Sequence, residues 1–227
     1  MTLKPFTFIH IPKTGGETVT LLLEIRKKHV KAKYENFDGY VFAFVRNPYS
    51  RLYSWYSHLR KPLYKEEIVL EGLNRKTIDK PGFSNFYFFK GGFENLGPPE
   101  GTESRLALSN DFNSWVKQLI EKESFLRNRT KTWLESGPLE SCCDFTCDLN
   151  GECLVPNIYF FENYKEELSK LFKNIDREDL IPQIEVVNSS RKPTKEEISE
   201  ETKEIIYEYF KKDFETFGYP KEWKIKE

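Results

Sequence analysis

Residues 7–18 read TFIHIPKTGGET, from Thr7 to Thr18: an apolar strand runs into a loop holding one lysine, two glycines and two threonines, and then into a helix. The expected strand covers Phe6 to Ile11. Gly15 and Gly16 let the backbone turn tightly, and the N–H groups opening the next helix point at whatever anion sits there, with Lys13 adding a mobile positive charge. The stretch reads as a phosphate cradle and predicts a strand-loop-helix unit of an α/β fold.

A second motif has the same form. The apolar run YVFAFV begins at Tyr40, ends at Arg46-Asn47-Pro48 and continues as the helical segment SRLYSWYSHL. Pro48 suits the first turn of a helix, while Arg46, Ser50, Arg51 and Ser54 offer a guanidinium fork and hydroxyls for a second phosphate. Two anion sites on neighbouring strands imply a doubly phosphorylated ligand. In the first loop Lys13 precedes the glycines, so the GxxxxGK[ST] order of nucleoside triphosphate loops is absent, which disfavours a kinase or ATPase.

Taken as a pair, PKTGGET and FVRNPYSRLYS resemble the sulfotransferases that use 3′-phosphoadenosine 5′-phosphosulfate (PAPS). The resemblance is closest to the carbohydrate branch, the heparan- and chondroitin-type, Golgi-related enzymes. It continues through Asp148-Leu149-Asn150-Gly151, IYFFENYKEEL, VNSSRKP and the closing KKDFETFGY, in that family's order, and so spans nearly the whole chain.

The resemblance implies roles residue by residue. Pro12, Lys13, Thr14, Gly15, Gly16, Glu17 and Thr18 would hold the 5′-phosphosulfate, with Lys13 stabilising the leaving group. Arg46 and Ser54 would hold the 3′-phosphate, and Ser190 and Arg191 would add contacts from a late loop closing over the nucleotide. Glu17 departs from the family pattern, because a carboxylate near a dianion is repulsive unless it points away. His29, in KKHVKAKYENF, resembles the family's catalytic base. An imidazole with an ordinary pKa of about 6.5 is largely neutral near pH 7, and Lys27, Lys28 and Lys31 would favour that neutral form. His10 reads instead as a packed core histidine, and His58 as a second candidate on an exposed helix position. The implied reaction is sulfuryl transfer to a hydroxyl, most consistent with a carbohydrate, leaving adenosine 3′,5′-bisphosphate.

Length and composition fit one α/β domain over residues 1–227, with a P-loop-like central parallel sheet flanked by helices: 38% hydrophobic and 15% aromatic residues supply a core. A net charge of −1 argues against a generally basic nucleic-acid binder, so positive charge must be concentrated locally. No run of about eighteen apolar residues occurs, and Met1 to Pro5 lacks the apolar segment of a signal peptide, which predicts no membrane segment in this chain and a cytoplasmic enzyme, the alternative being an excised Golgi-lumenal domain.

Periodicity predicts further strands at Val41 to Val45 and Asn157 to Phe161, helices after the first two strands, and helices at Tyr164 to Lys173, Ser104 to Ile120 and Lys195 to Phe217, the last packed across the sheet. Residues 61–110 form an irregular insertion that includes FSNFYFFKGGFENLGPPEG, read as a long loop with aromatics on the core or as a wall for the acceptor. Cys142, Cys143, Cys147 and Cys153 cluster, but two adjacent cysteines and no nearby histidine do not form a standard zinc knuckle, so free thiols or a local disulfide are expected and no metal is. Two other classes stay open: a P-loop-like nucleotide kinase, and a binding module that keeps the anion pockets without the base.

Overall fold

A computed structural model describes residues 4–25, 31–34, 37, 39–60, 106–107, 110–121, 139–184 and 198–223. Strands β1 (Phe6–Ile9), β2 (Tyr40–Val45) and β3 (Asn157–Phe160) form a parallel sheet in the order β1-β2-β3. Phe6 sits opposite Tyr40 and Val45 opposite Phe160, so the three carboxyl ends leave the sheet on the same side. A parallel sheet requires a crossover after each strand. Helix α1 (Gly16–Leu22) follows β1, α2 (Pro48–Arg60) follows β2, and α5 (Tyr164–Asn174) follows β3 through a 3₁₀ turn, Phe161–Asn163.

The central strand explains why the sheet is covered on both faces. Val41 to Val45 are all buried, and alternate residues serve opposite layers. Phe42 and Phe44 pack with Val19, Leu168, Leu171 and Phe172 of α1 and α5. Val41, Ala43 and Val45 face Ile9, Ile11, Phe145 and Val155 on the other side, where the short helix α4 (Cys142–Thr146) lies. Ser141 caps α4, accepting from the Asp144 N–H at 2.9 Å while the Asp144 carboxylate accepts from the Ser141 N–H at 2.7 Å.

A separate helical core joins α2 to α3 (Phe112–Glu121), α6 (Glu200–Tyr209) and α7 (Lys211–Phe217). Tyr49, Leu52, Trp115, Val116, Ile206 and Phe210 are buried together there. Trp115 and Val116 are where helical spacing puts an inward stripe, and Asp111 opens α3 by accepting from the Ser114 N–H at 2.9 Å. The last long helix expected from the sequence is two helices, and it packs on this helical layer instead of across the sheet. The break falls at Phe210, whose φ of −103° and ψ of 23° leave the helical region. The redirection turns Asp213, fully buried, onto the start of α4, where its two carboxylate oxygens accept from the backbone N–H groups of Cys142 at 2.7 Å and Cys143 at 2.8 Å.

Strand β1 is shorter than expected, because His10 and Ile11 already belong to the loop. The four cysteines are free thiols, with Cys142, Cys143 and Cys147 buried, and burial raises the Cys142 thiol to about 12. Among the described residues no cluster of His, Cys, Asp or Glu has the makings of a metal set, and no helix is long and apolar enough to cross a membrane.

Two outcomes follow from these cores. Asp213→Ala strips a buried carboxylate from two backbone donors and is expected to cost about 3–5 kcal/mol, read from the urea midpoint; a cost under about 1 kcal/mol would refute that role. Tyr49 is fully buried, and its hydroxyl donates to the Lys221 carbonyl at 2.7 Å with the Lys203 carbonyl a second acceptor at 3.3 Å. Burial pushes its pKa from 10.0 up to about 12. The folded state therefore holds this proton where the unfolded chain has lost it, so the contribution is intact below pH 10 and lost between 10 and about 12. Chemical denaturation across that window should show falling stability, with a shallower fall in Tyr49→Phe.

Candidate functional site

The site begins where β1 ends and its loop must turn back into α1. Lys13 adopts φ 67° and Gly15 φ 88°, left-handed conformations that are costly for lysine and free for glycine. Both glycines are also sites of close approach. A Cβ on Gly15 would lie 2.6 Å from the Tyr164 ring, and one on Gly16 would lie 2.1 Å from His10 Nε2. His10 is 3% exposed and stacks on Phe8 at 5.2 Å between centroids, so it is the core histidine that alternation predicts, and its ring floors the loop.

Each carbonyl of the turn except that of Thr14 is held by a named side chain. The Thr14 hydroxyl, fully buried, donates to the Ile11 carbonyl at 2.9 Å. Arg51 Nε donates to the Pro12 carbonyl at 3.1 Å, Arg46 NH1 donates to the Lys13 carbonyl at 3.2 Å, and the Tyr164 hydroxyl donates to the Gly15 carbonyl. The Thr14 hydroxyl, expected as a ligand contact, is thus turned inward, leaving that residue its backbone. Thr18 is also buried, with its side chain close to the Tyr164 hydroxyl. Glu17 is exposed, so its carboxylate is solvated, and its charge reaches the Tyr164 hydroxyl.

The second motif supplies the walls. Pro48 is the first residue of α2, as predicted. Arg46 is 8% exposed; its Nε donates to the Ser50 hydroxyl at 3.0 Å, and its guanidinium lies 4.1 Å from the Phe161 ring centroid. Burial lowers its pKa to about 10, with the Glu162 carboxylate opposing the shift, so the cation persists at neutral pH. Ser54 lies one turn beyond Ser50 on the same face of α2 and is buried. Arg51 is more deeply placed than its motif suggests: it is 1% exposed, its charge acts on Asp213 and Cys142, and its Nη1 and Nη2 find no hydrogen-bond partner among the described residues. Lys13 places its ammonium 5.8 Å from the ring centroid of Trp55, and Trp55 stacks on His58 at 5.6 Å. His58 is therefore half-buried against an aromatic neighbour.

The third strand end completes the assembly. Glu162 accepts from the Asn47 N–H at 2.8 Å and from the Tyr219 hydroxyl at 3.2 Å, tying β3 to the start of α2 and to the chain's closing turn. Phe161 and Tyr164 flank it, one on Arg46 and one on Gly15. Burial pushes the Tyr164 hydroxyl well above the ordinary tyrosine range, so it acts as a neutral donor. Within IYFFENYKEEL the usable signal was position: Glu162 and Tyr164 come straight after a strand, at the sheet's ligand-binding end. The structure brings together Pro12 to Thr18, Arg46 and Ser50, with Ser54 one turn further along α2. His29, Ser190 and Arg191 lie outside the described residues, as do residues 61–105 of the aromatic-rich insertion.

The floor of the loop makes a direct prediction. Gly16→Ala should cost about 1–3 kcal/mol by overpacking, measured by thermal or urea unfolding, and the added His10→Ala should recover part of that cost in a double-mutant cycle. Additive losses would show that the two residues do not meet.

Comparison with known proteins extends beyond these contacts. Searches of curated proteins and of solved structures return no match. The model of the sulfotransferase family matches residues 4–220, a span that takes in the glycine loop, the Arg46 helix and the Glu162 anchor alike. Over that length, the chain belongs to the sulfotransferase family.

Proposed function

We propose that the chain transfers the sulfuryl group of PAPS to a hydroxyl of a carbohydrate acceptor, releasing adenosine 3′,5′-bisphosphate. The observation that carries the reading is the position of Arg46. Its buried cation bonds at once to the backbone of the first loop, at Lys13, and to the first turn of α2, at Ser50, so both anion motifs share one rigid corner at the carboxyl ends of β1 and β2. A ligand carrying anionic groups at two ends fits that arrangement.

In this reading the donor supplies the sulfuryl group and a phosphate as leaving group. Pro12 to Thr18 hold the 5′ end through backbone N–H groups, while Arg46 and Ser54 hold the 3′-phosphate, with Ser190 and Arg191 as further contacts. Lys13 balances charge on the leaving oxygen, a stabilisation that counts for more in a desolvated site. His29 is the proposed base: as the acceptor oxygen bonds to sulfur and the bond from sulfur to the phosphate oxygen breaks, the hydroxyl proton passes to the imidazole. General base catalysis of this kind contributes about 10²–10⁴-fold. The carbohydrate acceptor is supported by the resemblance to that branch of the family and by Trp55 beside Lys13, an aromatic face of the sort that sugars stack on. Cytoplasmic residence belongs to the same proposal, supported by the free thiols.

Calorimetric titration with adenosine 3′,5′-bisphosphate, without magnesium, tests the donor site. The wild type should bind, and Lys13→Ala and Arg46→Lys should each weaken binding by about tenfold or more, corresponding to a charge-assisted hydrogen bond of about 1.5–3 kcal/mol. Folded protein that ignores this ligand would sink the reading. A variant His29→Ala that binds normally but transfers nothing would separate catalysis from binding, whereas undiminished transfer would remove His29 from the mechanism.

A further inference from the structure

Four carbonyls of the glycine loop are held, and their holders come from different parts of the chain: Thr14 from the loop, Arg51 and Arg46 from the second motif, and Tyr164 from the segment after β3. The peptide bonds here are all trans, and in a planar trans peptide the N–H of one residue points opposite to the carbonyl of the residue before it. Capturing the carbonyls of Pro12, Lys13 and Gly15 therefore turns the N–H groups of Lys13, Thr14 and Gly16 away from Arg51, Arg46 and Tyr164 respectively. The side chains do not need to touch an anion to decide where the backbone donors aim.

We propose that Tyr164 is a positioning residue for the sulfate donor: its hydroxyl, by holding the Gly15 carbonyl, aims the Gly16 N–H and the neighbouring turn at the donor's 5′-phosphosulfate. The inference rests on the donor reading above and adds a residue outside both anion motifs. Several features make the tyrosine suited to the task. It is 7% exposed. Its ring packs against Phe44 at 5.3 Å and Phe161 at 5.0 Å, and it occupies the space that any side chain at position 15 would need. The hydroxyl also meets the buried Thr18 side chain, so it joins the turn before α1 to the helix's first residues. Gly15 at φ 88° has no side chain to hold it in that conformation, and its carbonyl, which also accepts from the Thr18 N–H at 3.2 Å, is the handle that Tyr164 takes.

Tyr164→Phe keeps the ring and removes only the handle. The test compares two ligands by calorimetry, with competition where direct titration is too weak: adenosine 3′,5′-bisphosphate, and adenosine 3′-monophosphate, which lacks the 5′-phosphate. The variant should lose about fivefold or more in affinity for the bisphosphate, the size of one net hydrogen bond, and stay within about twofold of wild type for the monophosphate. Its far-ultraviolet spectrum should be unchanged. A purely structural role would lower both affinities together, and that result, or an unchanged bisphosphate affinity, would overturn the proposal. Failure of the wild type to bind the bisphosphate would instead bring down the donor reading itself, and this inference with it.

Discussion

The arrangement depends on a guanidinium buried in the middle of the molecule. Arg51 is 1% exposed, its Nε is bound to the Pro12 carbonyl, and its charge acts on Asp213, which is fully buried. A charge removed from water is tolerated only when other charges and dipoles compensate it. Here the compensation comes from two places far apart in sequence, the Pro12 carbonyl of the first loop and Asp213 of the closing helix, while Nη1 and Nη2 find no hydrogen-bond partner among the described residues. Asp213 in turn holds the first two N–H groups of α4. Moving the first loop or α7 would take away the compensation that the buried guanidinium has, so the first loop is held from behind by the core of the protein.

That constraint explains why the site can be built from so few exposed groups. Arg46 is nearly buried, Thr14 and Thr18 point inward, and the left-handed turn is held by its carbonyls. Rigid backbone donors cost less ordering on binding than long side chains do. The sheet contributes the geometry: three parallel strands end together, and the turn after each one brings a different requirement, a glycine turn after β1, a buried cation after β2 and an anchoring carboxylate after β3.

Much of this was legible from residue order. The strand, glycine turn and helix around Lys13, the Pro48 start of α2, the parallel sheet and the core position of His10 follow from local rules, because period-two alternation, glycine at a turn and proline at a helix start act within a few residues. The division of the closing helix was not legible. No proline or glycine stands at Phe210 to stop a helix, and the bonds from Asp213 to α4 that accompany the break join residues 70 and 71 positions apart. Nor was the burial of Arg51 legible, since its place in the second motif suggests phosphate and says nothing of the bond from its Nε to the Pro12 carbonyl.

The sequence by itself determined the family, the α/β class and the two strand-to-helix segments proposed to meet an anion, since these are carried by contiguous residues whose chemistry does not depend on neighbours. Only the tertiary structure decided which members of those segments face inward and which distant residues hold them. Glu162, Tyr164 and Asp213 acquire their roles from packing, through hydrogen bonds that span 115, 149 and 71 positions of the chain. A hydrogen bond is satisfied by whatever folding places within about 3 Å, and sequence separation carries no trace of that distance.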